Sequence, residues 1–372
     1  AGEVDWAQLH HDVCFGKSGG RIIWQPRIGC WYQDKVRAGQ KLPEPYDGME
    51  LPDIFRALGV SDRLYGVFNP CFQMHEDPRV RDTCETSSDG VVTHMIHTPV
   101  GEQVSRYVPV PEHGYPRHMK RIIETEGEMK VAIWRLENAS WQWDQALYEK
   151  RLAACGDLGA PTIYLPRVNV QDLYINTMGV ENATYAMIDF PDTVEAYFRA
   201  LHDNHDRLID LVIDSPIDII NYGDNLHAGT LPPNLYEKYV LPEYHHRGER
   251  LRGAGKFVHS HWDGDTGPLL KFAKCSSLDG IEAITPKPQG DVTLEQVKDA
   301  LGDEVFLLDG IPAVYFDTTF PVSVLQECTH KLIELFAPKL ILGISDELSS
   351  RGDIERIRVV AEIVNENDAA CG

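Results

Sequence analysis

The eight cysteines (14, 30, 71, 84, 155, 275, 328 and 371) contain no Cys-x-x-Cys pair. Such scatter argues against a disulfide framework and suits a reducing compartment. Positive charge is also short. Lys and Arg number 35 against 57 Asp and Glu, a formal net charge of -22. That field repels phosphate backbones and anionic lipid, so neither nucleic acid nor membrane is expected as a partner. A polyanionic substrate would need strong local compensation. No apolar run approaches the roughly 20 residues of a membrane span. The opening run "AGEVDWAQLHHDVCFG" has no basic region and no signal-like core, and the expected location is cytoplasmic. Low-complexity stretches, linkers and residue-level repeats are missing too, so residues 1–372 are read as one domain.

What the chain does have is a rhythm of short apolar run, polar loop and amphipathic stretch. "IIWQPR" (22–27) reads as the first strand and "LYGVF" (64–68) as a later one. "TIYLPR" (162–167), "IDIINYGDN" (217–225), "KFVHSH" (256–261), "GIEAIT" (280–285), "VFLLDG" (305–310) and "KLILGIS" (339–345) follow. Helical periodicity separates them, as in "PDTVEAYFRALHDNHDRLIDLVI", where apolar residues recur at spacings of three and four. Thr293 with Gln296 three residues on marks a capping-box helix start. Strand–helix alternation predicts parallel strands with crossover helices. An open doubly wound sheet competes, but no Gly-x-Gly-x-x-Gly follows a strand. The expected fold is therefore an α/β (β/α)₈ TIM barrel. It carries a helical N-terminal extension over 1–20 and an inserted β-hairpin over 90–108, turning at "PVGE".

Polar residues sit at the C-terminal ends of the last five strands: Asp224, His259 with His261, Glu282, Asp309 and Asp346. In a barrel that rim is the active-site face. His259 and His261 lie two apart on a strand, so both imidazoles can face one point. A metal would need further ligands from neighbouring strands, and Glu282 and Asp346 stand at the right ends. Hydrogen-bonded or solvated histidines are the plainer account. Asp263 and Asp265, around Gly264, suit a turn. Asp224 and His227 in "YGDNLHAG" could orient substrate or carry a proton, or could belong to a polar loop. Asp309 before Gly310 either contacts substrate or caps a turn. Arg27 in "WQPRIGCWY" is an anion contact or a structural ion-pair partner.

The order "GGRIIWQPRIGCWY", "TPVGE", "MGVENATYAMIDFPDTVEAYFRAL", "NYGDNLHAGTLPPNLYEKYVLPEY", "KFVHSHWDGD", "IEAITPKPQGDVTLEQVK" and "LILGISDEL" resembles the uroporphyrinogen decarboxylase superfamily over nearly the whole chain. That resemblance implies a (β/α)₈ barrel. It also implies one of two chemistries: metal-free porphyrinogen decarboxylation, or zinc-dependent methyl transfer involving corrinoid proteins or thiols. "QPRIGCWY" stands where the decarboxylases carry a "MRQAGRY" type run. It keeps Arg27 and Gly29 but puts Cys30 and Trp31 where Gly and Arg fall. Losing a guanidinium weighs against a substrate with many carboxylates.

The methyltransferase branch carries His-x-Cys near the sixth strand and a later Cys near the eighth. The matching positions here hold His259-Ser-His261 and Asp346, with Glu282 near a further acidic position. The resemblance thus implies Zn²⁺ on His259, His261, Glu282 and Asp346. Harder ligands than thiolates would make it a Lewis acid on a leaving oxygen. The expected enzyme is a methyltransferase of O-demethylase type, moving a methyl group from a small methoxylated or methylated compound to a corrinoid (cobalamin) on a partner protein. Asp224 and His227 are its catalytic candidates, and Arg27 and Asp309 its substrate contacts. A homodimer is left open. The alternatives are a decarboxylase of a smaller acid, a metal-dependent hydrolase or lyase, and a binding protein on a retired barrel.

Overall fold

The structure, a computed structural model, describes residues 4–111 and 114–371. Its centre is a curled parallel sheet of β1 (Ile23–Trp24), β2 (Thr162–Leu165), β3 (Ile219–Leu226), β4 (Phe257–Trp262), β5 (Gly280–Glu282), β6 (Phe306–Pro312) and β7 (Leu340–Ser345). The seven run in the order β1-β7-β6-β5-β4-β3-β2. Every neighbouring pair is parallel, and helices cross between them on the outside. The α/β barrel expected from the alternation is the fold.

One stave departs from expectation. Residues 64–68 form no strand, because Leu64 (φ 51°) and Gly66 (φ 68°) are left-handed and an extended ladder cannot run through them. The segment nevertheless closes the wall between β1 and β2. Ser61 N–H donates to the Trp24 carbonyl at 3.2 Å and Asp62 N–H to that of Leu158 at 2.9 Å. The Asn69 amide grips the Tyr164 backbone from both sides, at 2.8 and 2.9 Å. Two isolated backbone bonds and one side-chain amide here stand in for a ladder.

The helix Trp6–Cys14 is capped by Asp5 and lays Leu9, Val13 and Cys14 against Ile23, Ile219, Phe257, Phe306 and Ile341. Those five stand at the N-terminal ends of their strands, so this helix plugs the barrel floor. The hairpin read at 90–108 forms as Val92–Thr98 and Gly101–Val108, with Thr98 opposite Gly101. It is widened into a four-stranded antiparallel sheet by Arg81–Thr86 and Arg117–Lys120. These flanking strands are exposed or nearly so and lack the apolar alternation that marks a strand in sequence. Thr293 and Gln296 form the capping box that their spacing predicts. No described helix is long and apolar enough to cross a membrane.

Candidate functional site

With the floor plugged, access is from the C-terminal ends of the strands. Left-handed non-glycine residues cluster there: Asn225, Ala283, Asp309 and Asp346. Each costs free energy on the order of 1–3 kcal/mol and persists only where its surroundings over-determine it. The mouth holds a cavity of about 720 Å³ whose lining includes Arg27, Tyr164, Arg167, Asn225, His261, Asp263 and Asp346.

Below its floor lies a buried ionic layer built on a residue outside the predicted set, Arg63. Its guanidinium contacts Glu282 Oε1 and Asp309 Oδ1, each at 2.7 Å. It also donates from Nε to Gln25 Oε1 at 3.0 Å and from Nη1 to the Tyr65 hydroxyl at 2.9 Å. Arg63 is 2% exposed and both carboxylates 0%. Charges this deep persist only when paired and hydrogen-bonded.

Glu282 is saturated. Oε1 accepts from Arg63 and from the Tyr65 hydroxyl. Oε2 meets the Asn221 amide at 2.9 Å and His261 Nδ1 at 2.7 Å. Burial raises its carboxyl to about 7, with Arg63 opposing and Asp309 adding to the rise.

His261 is the point where this layer reaches the cavity. Nδ1 is held by Glu282, which leaves Nε2 on the cavity side, 3.8 Å from Asp263 Oδ2. A carboxylate behind one nitrogen sets the tautomer and steadies the imidazolium, so the other nitrogen can give or take a proton. Asp263, read from sequence as a turn carboxylate, lines the cavity. Of the two arginines there, Arg27 stacks over the Tyr65 ring at 4.5 Å and touches Asp346 and Glu347 only at 3.5 Å. Arg167 is held by the neutral amides of Asn176 and Asn225, at 3.1 and 2.9 Å. Each has a buried Nε without a partner. Arg27 lies in the field of Glu282, Glu347 and Asp309, so Arg167, held by neutral amides, is the better placed of the two to receive a carboxylate or other small anion, with Arg27 beside it.

The remaining predicted residues lie elsewhere. Asp309 is sealed against Arg63 and the Ala283 amide, so it holds the ionic layer rather than substrate. Asp224 is sealed too, accepting from Val168 N–H and the Tyr244 hydroxyl, so it positions the β2 loop. His227 Nε2 faces Thr230 Oγ1 at 3.2 Å, off the cavity lining. His259 is buried one residue pair deeper than His261. Burial first, then Arg63 and His10, push its pKa well down, and Nδ1 has no hydrogen-bond partner.

The quartet expected to hold zinc is therefore not gathered into a donor set. His261 and Glu282 meet, but Asp346 is turned onto Arg27. Among the described residues no three of the four place ligand atoms within 4.8 Å of one another. Glu282, whose charge would offset a metal, is already occupied by four donors. The resident cation between Glu282 and Asp309 is a guanidinium, and as arranged these residues do not fit a metal ion. In sequence, Tyr65 falls on the strand expected at 64–68 and Arg63 just before it, and neither is singled out there as a site residue. Their two-residue spacing, the same as that of His259 and His261, was the available signal.

No family model matches the chain, and no curated protein does. Among solved structures it is similar to a methyltransferase from Methanosarcina mazei, at TM-score 0.57 and 10% identity over 95% of this chain and 96% of that one. Weaker likenesses are to a protein from Listeria monocytogenes assigned as a vitamin-B12 independent methionine synthase (TM-score 0.44, 13% identity, 93% and 96% covered) and to the GH18 chitinase ChiB of Flavobacterium johnsoniae (TM-score 0.33, 12% identity, 61% and 82% covered). At these identities the likeness is one of fold.

Proposed function

We propose that the chain is a methyltransferase that removes a methyl group from a small, anionic methoxylated compound bound in the mouth of the barrel. The observation that carries this is His261, aimed into the cavity with Nδ1 locked on buried Glu282. The likeness of fold to a methyltransferase over almost the whole chain supports it. Breaking a methyl–oxygen bond leaves an alkoxide or phenolate, a poor leaving group unless its charge is met. His261 meets that need from Nε2: a proton passes from it to the leaving oxygen, and Glu282 behind Nδ1 holds the ring in place. Arg27 and Arg167 hold the substrate's carboxylate, orienting the methyl carbon toward the open mouth.

The methyl acceptor in this reading is a reduced corrinoid on a separate protein, which meets the substrate from outside. Such a corrinoid would supply the nucleophile that takes the methyl group, while this chain binds the anion and protonates the leaving oxygen. Proton donation by His261 takes the part that the resemblance gave to zinc.

The test uses the purified full chain with methoxybenzoates as donors and cob(I)alamin as acceptor, under anaerobic conditions. Methylcobalamin and the demethylated phenol should appear in equal amounts. Arg27→Ala and Arg167→Ala should each raise KM about 10- to 100-fold, the range for losing a hydrogen bond to a charged group. Carbon dioxide release without methyl transfer would move the reading to decarboxylation, which the two arginines also suit. Activity lost to a chelator and restored by zinc would return the metal to the mechanism.

A further inference from the structure

Outside the barrel, two neighbouring crossover helices bring a second set of histidines together. Pro191–Asp214 carries His202 and Asp206 four residues apart, and Leu241–Gly253 carries Glu243 and His246 three apart. Each spacing puts its pair on one helix face. The two rings lie 4.5 Å apart between centroids. His246 Nε2 contacts both Asp206 oxygens, at 2.7 and 2.9 Å. His202 Nε2 stands 3.8 Å from Asp206 Oδ2. One ligand atom from each of the three falls within 4.8 Å of the other two.

We propose that His202, Asp206 and His246 form a binding site for one zinc-class divalent cation that clamps these helices to each other. Two imidazole nitrogens and one carboxylate oxygen are a donor set suited to Zn²⁺, with solvent completing a tetrahedron. The support around the site matches that use. Glu243 accepts from His202 Nδ1 at 3.0 Å, fixing the tautomer in which Nε2 is the free donor, as carboxylates behind metal-bound histidines do. Arg250 is the competing cation, 3.0 Å from Asp206 Oδ1. It also pairs with Asp210 and can stay there when a metal takes Asp206. All three donors are part-exposed, so an ion can enter without unfolding. This site is independent of the barrel chemistry and stands or falls apart from it.

The test is titration of chelator-treated full-length protein with Co²⁺, read by the visible absorption of tetrahedral cobalt, followed by displacement with Zn²⁺. One equivalent should bind, and the thermal midpoint should rise with it. The double variant His259→Ala with His261→Ala should leave the signal unchanged, which places the metal outside the barrel. His202→Ala, Asp206→Asn and His246→Gln should each abolish it. The last two stay close to native size, which guards against loss by misfolding. Glu243→Gln should weaken affinity about 10- to 100-fold while keeping one equivalent. The proposal is overturned if the wild type shows no tetrahedral cobalt signal, or if the signal survives His202→Ala combined with His246→Gln.

Discussion

Two stretches of the barrel wall make the same contribution by different means. β4 is laddered to β5 throughout and to β3 up to Ser260, with a register shift toward β3 at His261, and these ladders fix His259 and His261 in the wall. Residues 60–69 have no ladder, two left-handed residues and a few isolated tethers, yet they also deliver a pair two apart, Arg63 and Tyr65, to Glu282, the carboxylate that holds His261. Regularity is thus not what makes a wall residue part of the site. The irregular stave is tethered by Ser61, Asp62 and Asn69 and carries a buried charge to Glu282 and Asp309, whereas the laddered one is held by its backbone and presents the His261 ring to the cavity.

The sharpest way to break that comparison is Arg63→Ala. It leaves Glu282 and Asp309 buried without their cation, and should cost about 3–5 kcal/mol in urea unfolding. His259→Ala, in the laddered strand, should cost no more than about 3 kcal/mol. Equal costs would show that the ionic layer does not hold the irregular stave. His261→Ala should divide the two regions in the opposite sense. It should lower methyl transfer by roughly 10²- to 10⁴-fold, the range for loss of a general acid, with little change in unfolding midpoint. An active His261→Ala enzyme would remove the imidazole from the mechanism.

A smaller effect concerns pH. The folded carboxyl of Glu282, at about 7, lies above its usual value near 4.5, so the native state binds the proton more tightly than the unfolded chain. The stability from this group is complete below about pH 4.5 and is lost as pH rises through 7. Relative to Glu282→Gln, the wild type should lose stability as pH rises from 5 to 8. A flat difference would mean that Arg63 and the other donors keep the carboxylate ionised throughout. Smallest of all should be Asp346→Asn. Its contact with Arg27 is 3.5 Å long and its side chain is 57% exposed, so stability should change by less than about 1 kcal/mol, with KM shifting by a few fold at most. A large loss of activity would show that Asp346 leaves Arg27 to serve the reaction.

The barrel was legible because parallel strands buried on both faces read as apolar runs, and their crossover helices as 3.6-residue periodicity. All seven ladder strands fall on such runs. The place of His261 at the mouth was legible for a related reason, since a polar residue ending an apolar run points to the rim; Glu282, read the same way, lies a layer deeper. The stave carrying Arg63 was not legible, since its place in the wall rests on Ser61, Asp62 and Asn69 reaching segments up to about a hundred residues away.

Sequence by itself therefore determined the architecture, the rim and the inward face of β4, because these follow from local periodicity and strand geometry. Tertiary structure alone decided which carboxylates are free. Asp224, Glu282, Asp309 and Asp346 look alike at four strand ends, yet two are sealed as internal acceptors, one braces His261 and one lies at the surface against Arg27. A carboxylate's chemistry depends on which donors and how much water reach it, and those partners come from other strands and from one segment with no strand at all.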